Sequence, residues 1–332
     1  MRIVFLRGQV PPASEHPEKL FYNTIDECED MWSQLFYHTL SHLAAEGELV
    51  YQGGDMTKVL GSFEEKWVPS LKSYIPENKP DVIICRGGFD YYDSFLKSHP
   101  DAKKIYYGAG LRYFPKSDFK DYNLFLTDDP RQAEKVSKKT EAEVGLLAKP
   151  AASLFSPRNV EKEFDLCYMA NFTRNPTKRF DKLLTLLKDS GLKTLAIGNI
   201  EKNHKDLAKQ LGISIEFRDW VLRKDLPSQI SRCSVGVCSS DYRDSCPRVI
   251  PEFLACGLPV VIADDLSIWQ EKYITPETGL CVPINEFANS LKEVLSNVDR
   301  YNARAYYEQN LSLNSAADRL AMQIRHIVKE RI

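Results

Sequence analysis

Short apolar runs recur along the chain and alternate with stretches whose apolar residues repeat at helical spacing. Runs of this kind, separated by helices, are typical of buried strands in parallel sheets built from strand–helix–strand units. The predicted strands form two series. The first lies at 3–6, 82–85, 104–107, 124–127 and 144–148, and the second at 165–169, 194–197, 214–217, 235–238, 260–263 and 279–282.

The break between the two series predicts a linker at 149–162, where proline and small residues collect. We therefore expect two doubly wound α/β domains, 1–155 and 156–305, and a helical segment, 306–332, that packs back across the domains. Ligands of such sheets bind beyond the carboxyl ends of the strands. A cleft between two facing domains is thus the expected site.

The last helix is predicted to be capped at Ser315, with Leu320, Ile324 and Ile327 on one face. Its other face is basic. We expect the apolar face to pack on a domain, and the alternative is a contact with anionic lipid.

The amino-acid composition indicates which kinds of binding partner and which cellular compartment to expect. The 44 basic and 46 acidic residues give a net charge of -2, which does not favour a nucleic-acid partner. The eight cysteines form no Cys-x-x-Cys pair and are predicted to be reduced core residues. No apolar run is long enough for a signal peptide or a membrane span, so we predict a cytoplasmic protein with at most peripheral membrane contact.

The most informative segment runs from 235 to 282. It begins with a predicted strand, a polar loop, a short helix closed by Gly257, and another strand. Backbone N–H groups where such a loop enters a helix attract phosphate, and Arg243 and Arg248 add positive charge. Asp244 and Glu252 are carboxylates that accept hydrogen bonds from hydroxyl pairs. The segment is therefore suited to bind a sugar–diphosphate–ribose, with one carboxylate at each end of the ligand.

Asp244, seven further residues, Glu252 and the run Leu-Ala-Cys-Gly-Leu-Pro-Val-Val at 254–261 resemble a known signature. It is that of the retaining GT-B glycosyltransferases of the group 1 type, where both acids are Glu. The stretches 217–221, 226–233 and 277–283 are also similar to that family. The resemblance covers about residues 160–300. Over residues 1–150, only the alternation of strands and helices is similar.

The resemblance implies a GT-B fold of two facing Rossmann-like domains. It implies transfer of a sugar from a nucleotide-diphosphate sugar to a glycan, a lipid-linked saccharide or a small molecule, with retention of configuration. No cofactor is expected. No metal is expected either, since the chain lacks an Asp-x-Asp triplet.

The resemblance also assigns roles to residues. Glu252 would bind the ribose, Asp244 the transferred sugar, and Lys178 the departing diphosphate, with Arg174 or Thr173 beside it. The other predicted donor contacts are Ser245, Cys246, Arg248, Trp220, Val221 and Gly8. No His occupies the family's acceptor-side position, and the predicted acceptor-side residues are Arg86, Tyr107 and Arg112.

Several alternatives stay open from the sequence. The same architecture suits a nucleotide-sugar epimerase or an inactive nucleotide-sugar-binding protein. Glu252 alone is compatible with a surface helix residue, and the basic residues at 174, 178 and 179 with a solvated helix start. Pro251 is predicted to begin its helix. Asp128 and Asp129 are interpreted as a helix cap rather than as a metal or acid pair.

Overall fold

The computed structural model describes residues 1–8, 22–87, 92–108, 120–170, 176–244 and 246–329. The chain divides into two compact units. The first unit contains the described residues up to Ala148 and the helix that begins at Leu313, and the second contains Lys149–Ser312. The predicted linker therefore lies within the second unit, and the predicted terminal segment is divided between the two.

The first unit is built on a sheet of eight strands. Its strands are β1 (Arg2–Arg7), β2 (Glu46–Gln52), β3 (Met56–Leu60), β4 (Phe63–Val68), β5 (Val82–Arg86), β6 (Lys103–Gly108), β7 (Leu124–Thr127) and β8 (Glu143–Leu146). Its helices are α1 (Met31–Leu43), α2 (Asp93–Ser98), α3 (Pro130–Ser137) and α11 (Leu313–Lys329). The strand order is β3-β4-β2-β1-β5-β6-β7-β8, and every pair except β3 with β4 is parallel.

Strands β2 to β4 were not among the predicted elements, because charged residues interrupt their apolar pattern. Glu48 on β2 is fully buried and lies 2.8 Å from the ammonium of Lys66 on β4. Burial of such a charge is tolerated when an opposite charge accompanies it. Positions on β2 and β4 that are apolar in most buried strands are therefore charged in this protein.

The second unit has six strands in one parallel sheet. They are β9 (Phe164–Met169), β10 (Thr194–Ile197), β11 (Ile215–Arg218), β12 (Cys233–Cys238), β13 (Val260–Ala263) and β14 (Gly279–Val282). The helices are α4 (Phe180–Leu187), α5 (Lys202–Leu211), α6 (Leu226–Ser231), α7 (Val249–Ala255), α8 (Gln270–Tyr273), α9 (Phe287–Ser296) and α10 (Ala303–Asn310). The order β11-β10-β9-β12-β13-β14 is that of a Rossmann sheet.

The predicted Rossmann-like α/β class is thus confirmed for both units. All eight cysteines are free thiols, and all but Cys281 are buried, as the sequence predicts. Asp129 caps α3 by accepting a hydrogen bond from the Arg131 amide at 2.9 Å. Among the described residues, none of the helices has the length and apolarity needed to cross a membrane.

The last helix, α11, packs on α1 of the first unit, where its face of Leu320, Ile324 and Ile327 is buried. The predicted cap at Ser315 is wrong, because the helix already begins at Leu313. His42 and Asn314 lie within hydrogen-bonding distance, 2.9 Å apart, at this contact. The expectation that the apolar face packs on a domain is confirmed.

A tight contact in the second unit generates a stability prediction. A Cβ added to Gly236 on β12 would lie 2.5 Å from the ring of Phe253 on α7. We expect Gly236→Ala to lower the free energy of unfolding by about 1–3 kcal/mol, as other overpacked cores do. Urea unfolding measures this change. In a Phe253→Leu background the penalty should shrink, and strictly additive effects would contradict the proposed clash.

Candidate active site

The segment that the sequence singled out folds as a strand, a loop and a helix. β12 is followed by Ser239 and Ser240, both buried, and Gly257 closes α7 with a φ of +82°, which favours glycine. The prediction that Pro251 begins the helix is wrong, because α7 starts at Val249. Pro251 lies in the first turn, where its missing N–H removes no internal hydrogen bond.

The strand order places this segment at a distinctive point of the second unit. From β9 the chain builds outward to β11, and it then returns to the other side of β9 with β12. Crevices that bind ligands form at the carboxyl ends of strands where the order reverses in this way. The loops after β9 and β12 carry Lys178 and Asp244.

Lys178 and Asp244, both predicted catalytic residues, form an ion pair. The Lys178 ammonium donates a hydrogen bond to Asp244 Oδ2, and the two side chains are 13% and 19% exposed. This exposure is small enough to limit solvent screening but leaves part of each group accessible. The structure therefore brings a cation and a carboxylate together at the reversal point.

Two hydrogen bonds to its own carbonyl oxygen hold Lys178 in place. Tyr168 on β9 donates from its hydroxyl at 3.0 Å, and Ser239 donates from its hydroxyl at 2.7 Å. The amide of Asp241 also donates to the carbonyl of Thr177 at 3.0 Å. The loop after β9 is thus bonded both to its own strand and to the end of β12.

Arg179 is not part of a solvated helix start, because backbone carbonyls and a carboxylate hold its side chain. Its guanidinium donates to the carbonyl oxygens of Ser239 and Ser240 at 2.6 and 2.8 Å. It also forms a bidentate pair with Asp265, at 3.0 and 2.7 Å. Its charge is therefore committed to joining the loops that follow β12 and β13.

Glu252 is buried rather than on the surface, with 4% of the residue exposed. Its Oε1 accepts a hydrogen bond from Arg223 at 3.0 Å, and that guanidinium lies 5.0 Å from the centre of the Phe155 ring. The interpretation as an ordinary surface helix residue is wrong. Sequence reasoning missed Arg223, which precedes Glu252 by 29 positions in no recognisable motif.

Asp241 and Arg243 brace the loop between β12 and α7. Asp241 accepts hydrogen bonds from the Arg243 amide at 2.9 Å and from its guanidinium at 2.5–3.1 Å. Burial of Asp241 works against ionisation, but the hydrogen bonds and charge of Arg243 outweigh it and lower the pKa of this carboxyl. Arg243 is thereby engaged within the loop.

The other predicted donor contacts occupy different environments. Cys246 is buried, and its amide donates to the Ser267 carbonyl at 2.8 Å. Arg248 is exposed directly before α7. Trp220 is 78% exposed and Val221 is half-buried, beyond the end of β11. Because all six strands are parallel, these residues lie at the same edge of the sheet as Asp244.

Three predicted residues meet in the first unit, at the carboxyl ends of neighbouring strands. The Gly8 amide donates to the Arg86 carbonyl at 3.2 Å. Arg86 and Tyr107 stand opposite each other on β5 and β6. Tyr107 is buried, and its hydroxyl donates to Asp128 at 3.2 Å. The predicted residues Thr173, Arg174, Ser245 and Arg112 lie outside the described part of the chain.

Comparison with known proteins adds to this geometry. Residues 152–311 match the family model of glycosyl transferases group 1. Similar solved structures include the sucrose-phosphate synthase of Thermosynechococcus elongatus, with a TM-score of 0.73 and 14% identity over 99% of this chain and 100% of that one. The lipopolysaccharide outer core galactosyltransferase WaaB is similar with a TM-score of 0.69 and 13% identity over 98% and 100%.

Anabaena HepE, determined in complex with UDP, is also similar, with a TM-score of 0.69 and 12% identity over 98% of this chain and 100% of that one. No curated protein sequence matches the chain.

The two sheets, the acids after β12 and these likenesses define the class: the chain is a glycosyltransferase of the GT-B fold. Residues 152–311 form a domain that matches the glycosyl transferases group 1 family. The resemblance to group 1 glycosyltransferases drawn from Asp244, Glu252 and the run at 254–261 is thus confirmed.

The buried pair of Glu252 and Arg223 gives a testable prediction. Arg223→Met leaves the Glu252 carboxylate buried without its cation, and we expect the free energy of unfolding to fall by about 1–3 kcal/mol. Adding Glu252→Gln should recover part of this loss. Arg218→Met, which breaks the exposed pair with Glu216, is the control and should change it by less than about 1 kcal/mol. Equal effects of the two single variants would refute the burial argument.

The lowered pKa of Asp241 predicts a pH dependence. The unfolded chain binds this proton at about pH 3.9, and the folded chain binds it only at lower pH. The stabilisation by ionised Asp241 is therefore complete above about pH 5 and disappears as the pH falls through the folded pKa. Urea unfolding of wild type and Asp241→Asn should show a difference that shrinks below about pH 4. A difference independent of pH would contradict the prediction.

Proposed function

We propose that this glycosyltransferase takes its sugar from a nucleotide-diphosphate donor bound by the second unit, and passes it to a carbohydrate-type acceptor without a divalent metal. The proposal rests above all on the Lys178–Asp244 ion pair at the point where the strand order reverses. The UDP in the similar Anabaena HepE supports a nucleotide donor. The family signature around Asp244 and Glu252 supports retention of configuration.

The environments of the residues support distinct roles. Lys178 supplies positive charge where the diphosphate departs, and Asp244 accepts hydrogen bonds from hydroxyls of the transferred sugar. Glu252 accepts hydrogen bonds from the ribose, with its carboxylate oriented by Arg223. Arg248, exposed beside α7, adds charge for the diphosphate.

The exposed ring of Trp220 offers a stacking surface to the base. Thr173, Arg174, Ser245, Cys246, Val221 and Gly8 complete the proposed donor contacts.

In the proposed reaction, the bond between the anomeric carbon and the β-phosphate oxygen breaks, and the electron pair leaves with the nucleoside diphosphate. An acceptor hydroxyl oxygen bonds to the same carbon, and its proton passes to the departing phosphate oxygen. Negative charge develops on the departing phosphate oxygens, next to Lys178. Charge that is already in place stabilises such a transition state without reorganisation.

Donor binding tests the assignment of the two acids. UDP-, GDP- and ADP-sugars are screened by thermal shift, since a ligand stabilises the folded state according to its affinity. We expect one nucleotide class to bind, and Asp244→Asn and Glu252→Gln each to weaken binding about 10–100-fold through loss of charged hydrogen bonds. Glu293→Gln, on the exposed face of α9, is the matched control. Wild-type affinity in Glu252→Gln would refute the ribose assignment.

Turnover tests the role of Lys178. We expect Lys178→Met to lower kcat about 10²–10³-fold, the usual effect of removing one electrostatic contact to a transition state. EDTA should leave the wild-type rate unchanged, and NMR of the product should show the donor's anomeric configuration. Conversion of the donor without any acceptor would instead favour an epimerase.

A further inference from the structure

A row of polar side chains crosses one face of the first unit's sheet. Tyr51, Arg7, Arg86 and Tyr107 stand opposite one another on β2, β1, β5 and β6. Residues paired in this way in parallel strands point to the same face of the sheet. The strand order of this unit reverses between β1 and β5, so the row lies where doubly wound sheets bind ligands.

The charge of Arg7 is compensated within the fold. Its guanidinium donates to the carboxylate of Asp30, which caps α1, and to the Tyr51 hydroxyl at 3.3 Å. Burial opposes ionisation of Asp30, but the charge of Arg7 and the hydrogen bonds from Ser33 outweigh it and keep the pKa of this carboxyl below its ordinary value. Arg7 is therefore a structural cation.

Arg86 has no hydrogen-bonded carboxylate of this kind among the residues that the structure describes. Its Nε is buried without a hydrogen-bond partner, and its guanidinium forms no ion pair with a carboxylate of the described ranges. It lies over the ring of Trp32, 4.4 Å from the ring centre. Burial and the neighbouring charge of Arg7 lower the pKa of Arg86 to about 10, although the charges of Asp30 and Asp128 oppose this change. An aromatic face offsets only part of the free energy that such a cation costs.

The backbone of Arg86 is nevertheless firmly held. Its carbonyl oxygen accepts hydrogen bonds from the Gly8 amide at 3.2 Å and from the Tyr92 hydroxyl at 2.9 Å. Gly87 follows with a φ of +67°, which turns the chain at the end of β5. The guanidinium is thus presented from a rigid strand end, as binding residues are in preorganised sites.

We propose that Arg86, backed by Trp32, binds an oxyanion of the acceptor, a phosphate or a carboxylate. This inference rests on the proposed function for the division of labour between the units, because the donor diphosphate is assigned there to Lys178 and Arg248. The planar guanidinium matches both kinds of oxyanion. The acceptor class is then an acidic or phosphorylated saccharide rather than a neutral one.

Inorganic phosphate is the first probe, titrated calorimetrically against wild type and Arg86→Gln at constant ionic strength. The same pair is compared in a Lys178→Met background, where the candidate donor site has lost its ammonium. We expect Arg86→Gln to weaken phosphate binding at least tenfold in both backgrounds. Arg325→Gln, at an exposed arginine of the same unit, should bind like wild type. Equal affinity in Arg86→Gln and wild type would overturn the proposal.

Matched acceptors then separate this inference from the proposed function. Glucose 6-phosphate and glucuronate are compared with glucose, using the donor found by the nucleotide screen. Arg86→Gln should raise KM about 10–100-fold for the anionic acceptors, and should leave the KM of the donor and of glucose within twofold. A rise in donor KM alone would assign Arg86 to the donor and overturn the proposal. If no nucleotide sugar binds wild type, the proposed function fails while the phosphate titration still decides the role of Arg86.

Stability distinguishes a binding residue from a structural one. Because Arg86 Nε is buried and the guanidinium pairs with no carboxylate of the described residues, Arg86→Met should unfold in urea at the same concentration as wild type or a higher one. Arg86→Lys should fold equally well and retain part of the phosphate affinity. A clear loss of stability in Arg86→Met would show that the guanidinium supports the fold, and would overturn the proposal.

Discussion

The carbonyl oxygen of Lys178 accepts one hydrogen bond from Tyr168 on β9 and another from Ser239 just beyond β12. These strands are neighbours where the sheet changes direction, so the two bonds join the loop that carries the cation to the strand that precedes Asp244. Arg179 extends the connection to Asp265 after β13. The geometry of the proposed donor site is therefore built into the backbone of three parallel strands, which position Lys178 and Asp244.

Sequence patterns predicted the fold well where strands are buried on both faces. The predicted strands at 124–127, 194–197 and 260–263 match β7, β10 and β13 to the residue. Prediction failed at β2 to β4, because Glu48 and Lys66 are buried as a pair. A pattern read one residue at a time cannot reveal that a distant opposite charge makes burial acceptable.

The same limit applies to the site. Asp244 and Glu252 were recognisable because their signature is a single short segment whose spacing survives in the sequence. Arg223 and the actual partners of Arg179 were not, since these contacts join residues 29 to 86 positions apart. The spacing of residues within one segment identifies the two acids of the site. Which cations pair with acids of the site depends on the order of the strands, and a local pattern does not contain that order.

The first unit is discontinuous in the chain, since it takes α11 from beyond the whole of Lys149–Ser312. During translation, the surface of α1 therefore stays uncovered until Leu320, Ile324 and Ile327 have been synthesised. The stretch Lys149–Ser312 of the second unit is synthesised entirely before α11. Although the N-terminal domain usually folds first on the ribosome, here the first unit acquires its complete set of helices only after the second unit has been synthesised.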